Sequence, residues 1–111
     1  MADQILAAET RPTTYEVSCL PQDHPDGFSW ALRVEYRGRG KWAVLRSGKR
    51  CLSSTGEWDW ESIPSEREDD WLATHRFDLD TALRLAQEAA PHVVVNGLTP
   101  AGLLEWEAAH A

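Results

Sequence analysis

The sequence predicts an α+β fold, in which an antiparallel β-meander of four to five strands packs one face against the main one of two to three helices. Apolar and polar side chains alternate along several short segments of the first 60 residues, a pattern typical of half-buried strands. Glycine-containing turns separate these segments, which indicates hairpins between neighbouring strands. Beyond residue 65, apolar side chains recur instead at the helical period of about 3.6 residues.

The first half of the chain contains the predicted strands. The first covers residues 15–20 and ends at Pro21, and the second covers residues 28–36, after a turn-forming Pro-Asp-Gly sequence. The second strand has the clearest alternation, with these apolar side chains on one face: Phe28, Trp30, Leu32, Val34 and Tyr36. An Arg-Gly-Arg-Gly sequence at residues 37–40 then reverses the chain into a third strand at residues 41–46.

Two further short strands complete the predicted meander. A Ser-Gly-Lys turn leads into residues 50–52, and a Ser-Thr-Gly turn leads into residues 58–60. In the last of these segments two tryptophans alternate with acidic residues. We expect all of these strands to pair with their neighbours in sequence.

Capping signals mark the beginnings of the predicted helices. Ser-Glu-Arg-Glu at residues 65–68 matches a capping box, which predicts a short helix through about residue 73. Asp78 or Asp80 is the expected cap of the next helix. Thr99, which precedes a proline, begins a last helix that runs to about residue 110.

The main helix is predicted over residues 79–90, before Pro91. Its apolar stripe consists of Leu79, Leu83, Ala86 and Ala90. This stripe requires a hydrophobic surface, and the apolar face of the second strand is the largest one available. We therefore predict that Leu83 packs against Trp30 or Leu32 and is nearly fully buried.

Length and charge limit the organisation and location of the protein. We expect residues 1–12 to form a flexible or weakly docked arm and residues 13–111 to form a single α+β domain.

The net charge of −7 disfavours non-specific attraction to nucleic acids and anionic membranes. No segment approaches the roughly 18 apolar residues of a membrane span, and the first residues lack a signal-peptide pattern. We expect a cytoplasmic protein without a membrane partner.

No catalytic or metal-binding motif is recognisable. Cys19 and Cys51 lie far apart, and no histidine or cysteine pair has the local spacing of a zinc site. The carboxylate pairs at residues 59 and 61 and at residues 78 and 80 have no feature that marks a cleft. We expect no cofactor, no metal and no catalytic residue. An enzyme remains a third hypothesis, because catalytic residues from separate strands leave no linear motif.

Charge and tryptophan content favour a binding function. Residues 31–52 hold seven basic side chains and one acidic one, whereas residues 53–80 hold nine acidic and two basic ones. Six tryptophans are unusual for this length, and tryptophan is enriched at interface hot spots. We expect a small non-catalytic protein-binding or regulatory accessory module. The candidate partner-binding residues are Trp58, Trp60, Glu66, Asp69, Asp70 and Trp71.

A nucleic-acid-binding protein is the alternative, with basic hairpins that contact phosphates. Its candidate residues are Arg37, Arg39, Lys41, Lys49 and Arg50. We favour instead the interpretation that these cations pair with Glu57, Asp59 and Glu61 on neighbouring strands. The acidic residues at 66–70 can equally complement the dipole of a helix start without a partner.

Several segments resemble a group of known sequences. These segments are residues 42–52, 56–60, 65–71, 75–86 and 95–97. They are similar to small uncharacterised proteins encoded by actinobacteria and their phages. The resemblance implies a bacterial or phage accessory gene and supplies no activity, cofactor or catalytic residue.

Overall fold

The computed structural model describes residues 4–61 and 68–111 and has an α+β architecture. Its strands form one antiparallel sheet in sequence order: β1 (Thr14–Val17), β2 (Leu32–Tyr36), β3 (Trp42–Arg46), β4 (Arg50–Leu52) and β5 (Trp58–Trp60). Its helices are α1 (Gly27–Trp30), α2 (Asp69–His75), α3 (Leu79–Ala89) and α4 (Pro100–Ala109). The predicted fold class and the meander are therefore confirmed.

The register of the sheet separates its two faces. Tyr36 lies opposite Trp42, and Val34 lies opposite Val44. Because directly opposed residues share a face, these side chains lie together on what we call the core face. The other face, which we call the outer face, carries Ala43 and other residues one position out of phase.

The hydrophobic core lies between the core face and α3. The helix packs across β1, β2 and β3. Its start is capped as expected, since the Asp78 carboxylate accepts a hydrogen bond from the Thr81 amide at 2.8 Å. That hydrogen bond lowers the pKa of Asp78, because it favours the charged carboxylate. The predicted position of the main helix on the sheet is confirmed.

The predicted burial of Leu83 is wrong. Ala82 and Ala86 are 0% exposed, whereas Leu83 is only partly buried. At about 100° per residue, Ala82 and Ala86 lie at the centre of the apolar stripe, with Leu83 on one flank and Leu85 on the other. The small alanines bring the helix close to the sheet and leave both leucines at the margin of the contact.

The predicted strand over residues 28–36 is wrong in its first half. Residues 27–30 form the single turn of α1, and Phe28 is 74% exposed. Hydrogen bonds continue the preceding turn into this helix, from the Gly27 amide to His24 O and from the Ser29 amide to Asp26 O. Trp30 still enters the core, where its Nε1 donates to Leu98 O at 3.1 Å.

The remaining elements follow their local signals. Thr99 caps α4 by accepting from the Gly102 amide at 3.1 Å. Residues 93–95 are a packed connector with a bridge between Val95 and Leu98, and residues 4–12 form no helix or strand and are exposed. The capping box lies largely outside the described residues. No helix in the described ranges is long and apolar enough to cross a membrane.

Candidate functional site

The outer face of the sheet is partly covered by α2. Ala43, Leu45 and Cys51 are buried there, and Trp71 of α2 packs against them. The chain after α2 also joins the sheet, because Phe77 forms an antiparallel bridge with Trp42. The middle strand β3 is thus covered on both faces, by α3 and by α2. The sequence predicted a helix on only one face of the sheet.

A polar cluster surrounds this second apolar patch. His75 Nε2 lies 2.8 Å from the Asp59 carboxylate, and Nδ1 lies 2.7 Å from Trp71 O and 2.8 Å from Thr74 Oγ1. The imidazole also stacks on the Trp71 ring, with 4.3 Å between centroids. Each ring nitrogen therefore has a partner, and the cluster ties α2 to β5.

Cys51 lies opposite Asp59 in the sheet, which brings a thiol, an imidazole and a carboxylate into one region. A nucleophilic cysteine requires a lowered pKa and a base directed at its sulfur. Burial, with the carboxylates of Glu61 and Asp59, instead raises the pKa of the Cys51 thiol to about 11. Both nitrogens of His75 are engaged elsewhere, so this arrangement does not activate the thiol.

The different environments of the two cysteines have a measurable consequence. Near pH 8 we expect iodoacetamide to modify exposed Cys19 and to leave buried Cys51 largely unmodified in the folded protein, because the thiolate is the reactive form. Peptide mass spectrometry measures both sites. Protein unfolded in urea is the control, in which both cysteines should react. Equal labelling rates in the folded protein would contradict the described burial.

Ion pairs connect the outer face to α2. Arg37 lies 3.8 Å from Glu35 and 4.0 Å from Glu61, and Glu61 also pairs with Arg76. Arg76 is buried, lies 5.0 Å from the Trp71 ring and donates to His75 O. Arg37 therefore pairs with Glu61, as expected. The expectation is wrong for the other four candidate cations, since none of them pairs with Glu57, Asp59 or Glu61: Arg39, Lys41, Lys49 and Arg50.

A cavity of about 380 Å³ lies between the β2–β3 turn and α2. Its lining includes four cationic residues and one carboxylate, and two apolar residues of α2 contribute to its wall. These residues are Arg37, Arg39, Lys41, Arg76, Asp69, Leu72 and Ala73. We refer to it as the turn cavity.

A second surface lies on the core face, at the β4–β5 side of the sheet. Arg46 lies over the Trp58 ring and Arg50 lies over the Trp60 ring, each at 5.4 Å from the centroid. Trp60 is 65% exposed. We call Arg46, Arg50, Trp58 and Trp60 the Trp–Arg patch.

The two arginines of the Trp–Arg patch are directly opposed across β3 and β4. Burial and the charge of Arg50 lower the pKa of Arg46. Arg46 also donates to Val94 O at 3.3 Å. Neither arginine forms an ion pair with any residue in the described part of the chain. The two positive charges therefore repel each other.

The structure divides the candidate partner-binding residues between two surfaces. Trp58 and Trp60 belong to the Trp–Arg patch, whereas Asp69, Asp70 and Trp71 lie on α2 at the outer face. Both aspartates are exposed in the first turn of α2, and Trp71 is half-buried. Glu66 lies outside the described residues.

The candidate nucleic-acid-binding residues are also divided. Arg37, Arg39 and Lys41 line the turn cavity, whereas Lys49 and Arg50 lie at the β3–β4 turn, at the other end of β3. Arg50 faces the core side of the sheet, where it stacks on Trp60. Arg37 and Lys49 nevertheless line a shared cavity, so the sheet separates only Arg50 from the other candidates.

Sequence reasoning missed two residues that the site depends on. The first is Arg46, which belongs to the basic block at residues 31–52 and contacts Trp58. The register of the β3–β4 and β4–β5 hairpins is the signal that could have connected these two residues. Arg76 carried no sequence signal, because its partners come from separate segments. Among the described residues no group of three or more histidine, cysteine or carboxylate side chains could hold a metal ion.

Comparisons with known proteins do not add a function to this geometry. No family model matches the chain, and no curated protein and no solved structure matches it.

Proposed function

We propose that the protein is a non-catalytic binding module that docks an acidic segment of a partner protein on the Trp–Arg patch. The observation that carries this proposal is the pair of adjacent Arg–Trp stacks, in which two cations and an exposed tryptophan share one surface. The resemblance to phage-encoded accessory proteins favours a host protein as the partner.

The charges of the patch favour a partner that supplies carboxylates. Arg46 and Arg50 are directly opposed, and like charges in that position are destabilising. A carboxylate placed between the two guanidinium groups would offset their repulsion and form charge-assisted hydrogen bonds. The net charge of −7 repels an acidic partner at long range. Because salt screens distant charges, the two arginines dominate the electrostatic interaction once the partner is in contact with the patch.

The aromatic side chains add the apolar area that a small interface requires. Trp60 is 65% exposed and is held in place by Arg50. Trp58 packs partly against the core, so the patch has a fixed base. Tryptophan and arginine are the residues most often found at interface hot spots. The patch therefore combines an apolar contact with two positive charges that form no ion pair within residues 4–61 and 68–111.

A non-catalytic function is supported by the engagement of the polar cluster. His75 and Asp59 bind each other and hold α2 on the sheet. Cys51 has a raised pKa, and both ring nitrogens of the nearby His75 bind other groups. The thiol, imidazole and carboxylate of this cluster thus stabilise the contact between α2 and the sheet. The Trp–Arg patch lies on the opposite face of the sheet.

The proposal is tested with Trp60→Ala, for which we expect affinity for the partner to fall by at least about 30-fold, the effect of losing a hot spot of about 2 kcal/mol. The immobilised protein is used to recover partners from host lysate, and a synthetic peptide of the recovered protein's acidic segment is then titrated against each variant. Arg50→Gln should weaken the same interaction, because it removes one of the two opposed charges.

Trp106→Ala is the matched control, because Trp106 is also exposed, at 53%, and lies on α4. It should bind the acidic peptide as the parent protein does. Unchanged affinity in Trp60→Ala, or an equal loss in both tryptophan variants, would exclude the Trp–Arg patch as the docking surface.

A further inference from the structure

Cationic side chains dominate the described lining of the turn cavity. Of the residues that the structure describes, four cations and one carboxylate, Asp69, line it, in a protein with a net charge of −7. Arg37 and Arg76 already have carboxylate partners, since both pair with Glu61 and Arg37 also lies 3.8 Å from Glu35. Arg39 and Lys41 form no ion pair with any residue in ranges 4–61 and 68–111, and Asp69 forms none with them. Neither cation has a close anionic partner among these residues, although the Asp78 carboxylate is near enough to Lys41 for the two charges to interact.

The backbone of the β2–β3 turn, which carries these two residues, has a defined conformation. The Lys41 amide donates to Gly38 O at 2.9 Å, and the Arg37 amide donates to Lys41 O at 2.8 Å. Arg39 and Gly40 have φ values of 55° and 73°, the left-handed conformation of a tight hairpin turn. The Gly40 amide also donates to the Tyr36 hydroxyl at 3.1 Å. The backbone of the turn is therefore well fixed at the mouth of the cavity.

The α2 side of the cavity contributes apolar surface beside Asp69. Leu72 and Ala73 of α2 line the cavity, and Leu72 is half-buried. The volume of about 380 Å³ lies within the range of small-molecule sites in proteins. A ligand that fits has an anionic end near the turn and a flat or apolar part against α2.

We infer that the turn cavity binds a phosphate monoester of mononucleotide size, with its phosphate between Arg39 and Lys41. A guanidinium group forms paired hydrogen bonds with phosphate oxygens, and an ammonium group adds a compact charge. Together they match a phosphate with up to two negative charges. This site is independent of the Trp–Arg patch, which lies on the other face of the sheet.

A single phosphate group fits this cavity better than a polynucleotide backbone. Lys49 shares a neighbouring cavity with Arg37, but the Glu61 carboxylate also lines that cavity and would repel a phosphate backbone. Arg50 faces the opposite side of the sheet. The negative net charge also opposes a long polyanion. A short ligand with one terminal phosphate avoids both obstacles.

The test is calorimetric titration of the full chain with adenosine 5′-monophosphate and, separately, with adenosine. We expect saturable binding of the monophosphate, and adenosine to bind at least about tenfold more weakly, because it lacks the phosphate. Arg39→Gln and Lys41→Gln should each weaken binding of the monophosphate by about tenfold or more. Both side chains are exposed, so the variants should keep the melting temperature of the parent.

Lys49→Gln is the matched control, because Lys49 is an exposed cation in the same left-handed conformation, in the next turn. It should bind the monophosphate as the parent does. The inference is overturned if the monophosphate shows no saturable binding up to about 10 mM, the weak limit of a specific site. It is also overturned if adenosine binds equally well, or if Lys49→Gln weakens binding as much as Arg39→Gln.

An oligonucleotide tests whether the cavity binds a terminal phosphate monoester or the phosphodiester backbone of a nucleic acid. A single strand of 12 nucleotides without terminal phosphates should compete weakly with the monophosphate. Tighter binding by this strand, lost in Arg39→Gln, would assign the cavity to a nucleic-acid backbone and overturn the small-molecule site. None of these outcomes bears on the affinity of the Trp–Arg patch for its acidic peptide.

Discussion

Replacing Arg76 by methionine is expected to lower the free energy of unfolding by about 3–5 kcal/mol, the usual cost of removing one partner of a buried ion pair. The Arg76 side chain is 6% exposed and pairs with Glu61, whose side chain is 12% exposed. Arg76 also donates to His75 O at 2.9 Å and lies over the Trp71 ring. Methionine retains much of the apolar contact but leaves the Glu61 carboxylate without this cation.

Urea unfolding measures the effect of Arg76→Met, and Arg33→Met is the control. Arg33 pairs with Glu35 at 3.4 Å, but its side chain is 54% exposed, so its loss should cost no more than about 1 kcal/mol. The same small change in both variants would show that the Arg76 pair does not hold α2 on the sheet.

Truncating Leu32 to alanine is expected to cost about 2–5 kcal/mol, the range for a fully buried leucine whose removal leaves a cavity. Leu32 is 0% exposed on the core face, where β2 packs against α3. Because the helix is held close to the sheet by small alanines, it cannot easily move to fill the space. A loss of this size would remove a large part of the stability of a small domain.

Leu83→Ala provides the comparison for Leu32→Ala. Leu83 lies at the margin of α3 and is only partly buried, so its truncation should cost less than that of Leu32. Thermal and urea unfolding of both variants measures the difference. A larger loss for Leu83→Ala would mean that the centre of the helix contact is not at Ala82 and Ala86.

The two proposed sites use opposite faces of the same sheet. The Trp–Arg patch lies on the core face beside the covered region, whereas the turn cavity lies between α2 and the β2–β3 turn on the other side. Their contacts in the described ranges share no residue. A partner protein and a small phosphate ester can therefore be bound and tested separately.

Local signals predicted the elements whose conformation depends on neighbours in sequence. Asp78 and Thr99 cap their helices because each side chain reaches an amide three residues later. The β2–β3 turn forms where glycine supplies positive φ values at residues 38 and 40. The same reasoning failed at α1, because Phe28 and Trp30 alternate as in a strand although the preceding turn continues into a helix.

The sequence by itself determined the order of the strands and the main helices, because turns, caps and apolar periodicity act over a few residues. Only the tertiary structure decided that Trp71 covers Cys51 and that Arg76 reaches Glu61, since these contacts join segments that no local rule connects. It also decided that α3 approaches the sheet through its alanines. How closely a helix packs depends on the shapes of the helix and sheet surfaces, and these shapes cannot be deduced from the spacing of apolar residues.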